Sequence, residues 1–160
     1  MEIVLKTQVG KVVTLTLNRA EKRNALSVAM VNSLKDYFRA LQDDDSVRVI
    51  VLQANGEAFC AGADLEYLQQ LQNNTYEENL ADSQNLAELF QLIYTHPKLI
   101  ISMVEGAALA GGCGLASVCD LSYATPTSKF GYTEVKIGFI PAIVSFFLLR
   151  KIGEAHTKAL

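Results

Sequence analysis

Hydrophobic positions along the chain fall into short runs between polar turns, and their spacing alternates between strand-like and helix-like periods. Residues 2–8 and 11–17 predict two strands around a turn at Gly10. Val12-Val13-Thr14-Leu15-Thr16-Leu17 alternates and is rich in β-branched side chains. Ser27 stands as an N-cap, and Val31, Leu34, Phe38 and Leu41 recur every three or four residues, which predicts an amphipathic helix over 28–42. Asp43-Asp44-Asp45 reads as a solvated loop. Val47–Leu52 is a nearly continuous apolar run, as a buried strand has, and Asn55-Gly56 is a turn signal. Gln69–Asn79 is polar and reads as a loop or a helix end. Leu86, Leu89, Phe90 and Ile93 give residues 80–94 a helical period that His96-Pro97 ends. Leu99–Val104 predicts a further strand, followed by the small-residue segment Gly106–Ala116 and a strand at Leu121–Ala124. Ala142–Ile152 predicts an apolar helix closed by Gly153, and another helix begins near Glu154. The order ββαβ(α)αβαβ(α) is an α/β pattern with no internal linker.

The chain has 160 residues, half of them hydrophobic. That length fits one domain or the larger part of one, and it can bury a core without disulfides or metal. Because the sequence stops inside a helix, the expectation is a domain 1–160 that is cut short. No apolar run reaches the ~20 residues of a membrane span. The N-terminus shows no basic segment leading into an apolar one, so no secretory signal is read. Fourteen basic against seventeen acidic residues leave a net charge of −3. Phosphate backbones need clustered Lys and Arg, so nucleic acid is not an expected partner. Cys60, Cys113 and Cys119 form no CxxC pair, and they read as small buried thiols in a reducing, cytoplasmic setting. His96 and His156 lie outside any HExxH pattern, and no metal site is expected.

Candidate chemistry lies at two junctions where small residues join a strand to a helix. Gly111-Gly112-Cys113-Gly114-Leu115-Ala116 is one. It is not a dinucleotide fingerprint, because Ser117 stands where the last small residue belongs and Asp120 is too close to serve as the ribose acid. No GxxxxGK[ST] occurs either. Glycines that open a helix do expose unpaired N–H groups at its positive end, which suits a developing oxyanion. Close packing of helix on strand needs small residues equally. Phe59-Cys60-Ala61-Gly62-Ala63-Asp64-Leu65 is a second junction of the same kind, so each could supply one N–H to a shared site.

Together with Asn18–Ser27, Ala110–Asp120 and the stretch from Phe130-Gly131-Tyr132-Thr133-Glu134 to Ile140-Pro141, this segment resembles the crotonase superfamily, the enoyl-CoA hydratase/isomerase family. The motifs occur in family order over essentially the whole chain. The segment Thr133–Ala142 is most similar to the methylglutaconyl-CoA hydratase branch.

The resemblance implies a spiral of ββα units around two roughly perpendicular sheets, with a C-terminal helical segment missing. It implies an acyl-CoA thioester as substrate, with coenzyme A present only as part of that substrate, no other cofactor, and a homotrimer or hexamer. It implies an oxyanion hole at the Ala63 and Gly111 N–H groups and an acid/base at Glu134. Apolar neighbours there would raise the carboxyl pKa toward neutrality. It places Arg23, Ala25, Leu26, Ala61, Asp64 and Leu65 along coenzyme A, and Gly112, Gly114 and Thr133 at the substrate pocket. Asp64 also reads as a helix cap. Classical members carry a second glutamate at the position of Gly114. Its absence sets hydration of a 2-enoyl-CoA, branched as in methylglutaconyl-CoA, against Δ3,Δ2-isomerisation by Glu134 alone and against a non-catalytic acyl-CoA-binding role. Tyr132 and Ser117 are the residues left to hold a water.

Overall fold

The computed structural model describes residues 2–63, 67, 69 and 71–159, with the backbone alone at 136 and 137. Two sheets organise them. Strands β1 (Val4–Val9), β2 (Val12–Leu17), β3 (Val49–Ala54), β5 (Leu99–Val104) and β7 (Leu121–Ala124) form the larger, in the order β1-β2-β3-β5-β7. Strands β1 and β2 make an antiparallel hairpin, and the other neighbours run parallel. Strands β4 (Ala58–Cys60), β6 (Ala107–Leu109) and β8 (Lys129–Gly131) form the smaller, parallel throughout.

Register puts one set of side chains inside. Val13 pairs with Ile50 and Ile50 with Ile100, and all three are fully buried. Leu15, Leu52 and Ser102 make the next row. Ser102 is buried in an otherwise apolar row, and its hydroxyl is satisfied. It donates to Ser122 Oγ at 2.8 Å, which donates to the Ala116 carbonyl at 2.9 Å.

Helix α1 (Val28–Gln42) buries Met30, Val31, Leu34, Phe38 and Leu41, and Ser27 caps it by accepting from the Met30 N–H. Helix α2 (Tyr76–Tyr94) packs on α1. Their contact contains a buried lysine: Lys35 Nζ donates to Asn85 Oδ1 at 2.6 Å and pairs with Glu88 Oε2 at 2.5 Å. Helix α3 (Gly111–Val118) touches strands of both sheets as well as α2 and α4 (Ala142–Ala159). Its centrality explains its run of small residues, since Gly112, Gly114 and Ala116 let its neighbours approach closely while Leu115 and Val118 fill the core.

Several boundaries differ from the hydrophobic pattern, each for a local reason. Helix α2 starts at Tyr76 rather than residue 80, because Thr75 and Glu78 form a reciprocal capping box that draws the polar stretch into the helix. Strand β3 runs two residues later than the apolar run, since its pairing with β2 sets Val12 opposite Val49 and Leu17 opposite Ala54. Strand β8 and a 3-10 turn at Glu134–Ile137 follow no spacing. Gly153 breaks the last helix as expected, with φ 78°. Asp120 is structural: its carboxylate accepts from the Ile100 N–H at 2.8 Å.

All three cysteines are free and buried. Burial pushes the thiols of Cys60 and Cys119 up to about 12 and raises that of Cys113.

Candidate active site

The site begins at a turn that the backbone would not adopt unaided. Arg23 and Asn24 both have positive φ, 48° and 52°. Asn24 is fully buried and every polar group of its side chain is used. Its Nδ2 donates to the carbonyls of Asn55 at 2.8 Å and Ala58 at 2.9 Å, and its Oδ1 accepts from the Arg19 N–H at 2.8 Å. This fixes the loop after β2 against the start of β4. The Ala61 N–H then donates to the Arg23 carbonyl at 3.0 Å and the Leu26 N–H to the Gly62 carbonyl at 2.7 Å. The two segments expected along coenzyme A are thereby laid side by side.

The second junction meets the first at Gly62. A Cβ there would stand 2.7 Å from the Ala110 Cβ and 3.4 Å from the Gly111 nitrogen. Ala110 has φ 50° and ψ −127°, a conformation that L-residues seldom adopt, and its N–H donates to the Gly131 carbonyl at 2.7 Å. That bond holds the strained residue and sets the direction in which α3 starts. Among the described residues, neither the Ala63 N–H nor the Gly111 N–H has an acceptor. Gly111 is the first residue of α3, where the helix dipole is most positive.

Both residues border one cavity of about 640 Å³. Glu134, which opens the 3-10 turn after β8, borders it as well. One of its carboxyl oxygens, Oε2, is buried with no partner among the described residues. Burial holds the carboxyl above the usual carboxylate range, against a smaller opposite effect of its own backbone N–H. An acid of raised pKa therefore shares a mostly apolar space with two unpaired N–H donors.

Leu26, Ala61 and Thr133 line the cavity too. Arg23 and Ala25 lie in the adjoining turn and do not reach it, Ala25 being buried. Asp64 and Leu65 lie outside the described residues. Gly112 and Gly114, expected at the substrate pocket, do not line the cavity. Gly112 packs on β4, where a Cβ would stand 2.2 Å from the Cys60 carbonyl oxygen. At Gly114 a Cβ would meet Val144 Cγ2 at 2.4 Å and the ring tip of Phe90 at 3.4 Å. The space that a side chain at 114 would enter is thus filled from α4 and α2. Tyr132 and Ser117 join each other at 3.3 Å, and neither lines the cavity. Among the described residues, no three His, Cys, Asp or Glu side chains converge as a metal site requires.

Reading the sequence missed two features. Asn24 gave no signal beyond its type. Tyr67 and Asp82, which also line the cavity and are hydrogen-bonded to each other, come together only through the fold.

The model of the enoyl-CoA hydratase/isomerase family matches residues 7–160. The chain belongs to that family. A Thermus thermophilus member assigned as an enoyl-CoA hydratase is 43% identical over 157 residues, 98% of this chain and 62% of its own length. A crotonyl-CoA hydratase of Syntrophomonas wolfei is 35% identical over 161 residues, 99% of this chain and 61% of its own. A solved Legionella pneumophila structure assigned to the enoyl-CoA hydratase/isomerase (crotonase) group superposes with a TM-score of 0.95 at 44% identity, over 99% of this chain and 61% of that one. The fold is therefore the crotonase fold, and the chain spans less than two thirds of each relative.

Proposed function

We propose that this chain forms the catalytic core of an enzyme that hydrates 2-enoyl-CoA thioesters. The observation that carries this reading is the partly buried carboxyl of Glu134, whose Oε2 has no partner among the described residues, in one cavity with the Ala63 and Gly111 N–H groups, which have no acceptor among those residues. The thioester oxygen accepts from both N–H groups. Glu134 as carboxylate takes a proton from water while the oxygen of that water bonds to C3. The C2=C3 electrons move into the thioester as an enolate, and protonated Glu134 returns a proton to C2. Water has then added across the double bond, and no redox or metal group enters the balance. Removing one oxyanion donor from such a site typically slows turnover by about 10²–10³-fold.

In this reading Arg23 pairs with a coenzyme A phosphate, the backbones of Ala25 and Ala61 meet the adenine, and Leu26, Asp64 and Leu65 border the remainder. The protein assembles as a homotrimer or hexamer, consistent with the large apolar side chains exposed at Phe139, Ile140 and Phe146. The likeness of Thr133–Ala142 to one branch is the sole support for a branched, methylglutaconyl-like acyl group, and the acid that lines the cavity at Asp82 opposes it.

A second reading rests on position 114. With that space filled by Val144 and Phe90, a second carboxylate cannot share the water. Glu134 alone suffices to move a proton from C2 of a 3-enoyl-CoA to C4, as an isomerase does.

Mass spectrometry of 2-enoyl- and 3-enoyl-CoA incubated with the full-length protein in D₂O separates the two. Addition of one D₂O that Glu134→Gln abolishes is the expected result. Deuterium uptake with a shifted double bond and no added water would assign the isomerase. If coenzyme A thioesters bind but remain unchanged, the role is non-catalytic.

A further inference from the structure

The cavity holds a second acid that the proposed reaction does not use. Asp82 lies in the first half of α2, the Tyr67 hydroxyl donates to its Oδ1, and both residues line the cavity. Burial, and then Asp82 itself, raise the Tyr67 phenol. It therefore remains a donor to Asp82, and the pair presents only acceptors to the cavity.

Its place along α2 separates it from position 114. Phe90 follows Asp82 on the same helix and closes over position 114. At about 1.5 Å per residue the two lie roughly 12 Å apart along the axis. Asp82 is therefore no replacement for a carboxylate at 114. Around it stand Ser83, Asn85, Leu71 and Leu86. Among the described residues no Lys, Arg or His lines the cavity. Of the residues outside that description, those between 63 and 71 (Asp64, Leu65, Glu66, Leu68 and Gln70) include no cation, and Lys136 is the one cation whose side chain lies outside it.

On the acyl-CoA reading above, we infer that Asp82, held by Tyr67, is a specificity-determining residue that keeps a second carboxylate out of the cavity. The acyl groups accepted are uncharged. A dicarboxylic acyl group would bring its free carboxylate out of water into a mostly apolar space that contains a like charge and, among the described residues, no counter-ion, and both effects oppose binding. Discrimination here works by repulsion, which rejects a wrong ligand without adding a contact to the right one. The branched, methylglutaconyl-like group carries such a carboxylate, so Asp82 decides against that narrower substrate.

Calorimetry on the full-length protein tests this with two thioesters that cannot be hydrated, butyryl-CoA and glutaryl-CoA. Butyryl-CoA is expected to bind at least about tenfold more tightly, a difference of about 1.4 kcal/mol. Asp82→Asn keeps an acceptor for Tyr67 and removes the charge, and it should bring the ratio to within about threefold. Tyr67→Phe frees the carboxylate and should give an intermediate ratio, with circular dichroism checking that both variants are folded. Equal binding of the two ligands by the native protein, or a ratio unmoved by Asp82→Asn, overturns the inference. If neither ligand binds, the acyl-CoA reading fails and this inference with it. If the ratio behaves as expected but no enoyl-CoA is turned over, only the proposed reaction fails.

Discussion

Glu134 is held above its ordinary pKa by burial, and that has a consequence for stability as well as for catalysis. A carboxyl whose folded-state pKa is raised binds its proton more readily in the folded chain than in the unfolded one. Its ionisation therefore favours unfolding, and stability falls as pH rises through the raised value. Glu134→Gln removes this burden. The variant should lose turnover yet melt at a higher temperature than the native protein at pH 8, with the gap closing near pH 4, as differential scanning calorimetry would show. Position 114 gives a second outcome. Alanine normally favours a helix over glycine by about 1 kcal/mol, but here its Cβ would strike Val144 at 2.4 Å. Gly114→Ala should thus lose about 1–3 kcal/mol in urea unfolding, with much of it regained in the double variant Gly114→Ala/Val144→Ala. Small residues before a helix and an acid among apolar neighbours are local signals and marked the two junctions and Glu134, while the family resemblance singled out Ala63 and Gly111; all three residues border one cavity. The resemblance placed Gly112 and Gly114 at the pocket as well, and no local signal tells a glycine that faces a ligand from one that faces a strand, as Gly112 does, or neighbouring helices, as Gly114 does. Nor could the sequence pattern pair Tyr67 with Asp82, whose contact exists only in three dimensions.

At the scale of elements, periodicity found α1, β2, β5, β7 and the break at Gly153, all of which carry a clear apolar face or a glycine stop. It placed the start of α2 too late because a capping box is a side-chain arrangement, and the residues it recruits are polar. It passed over β8, a strand of three residues that exists through its pairing with β6. The turn at 23–26 is anchored to the start of β4 by the side-chain amide of Asn24. Asn24→Ala would remove the partner of the Arg19 N–H and of the carbonyls of Asn55 and Ala58, the last of them in the interior. Stability should drop by about 2–4 kcal/mol at neutral pH, measured by chemical denaturation. Because Ala61 and Leu26 bond across to this turn, affinity for coenzyme A thioesters should fall in the same variant.

At the scale of the whole molecule, α3 is where the two sheets communicate. Its first residue lines the cavity, and Cys119, which follows its last residue, is buried in the interior. Cys60 lies on β4 at the other junction, and Cys113 lies between them on α3. No alkylating agent can reach the Cys60 or Cys119 sulfur in the closed state, and a thiol raised to about 12 is almost entirely protonated at pH 8. Labelling at either cysteine therefore has to wait for the sheets to part. Mass-resolved iodoacetamide labelling should show Cys60 and Cys119 reacting at one common rate set by opening, with Cys113 faster, and a bound thioester should slow all three together. The chain thus holds an internal clock for its own breathing, set by Cys60 on β4 and Cys119 just past α3, the elements on which the proposed chemistry depends.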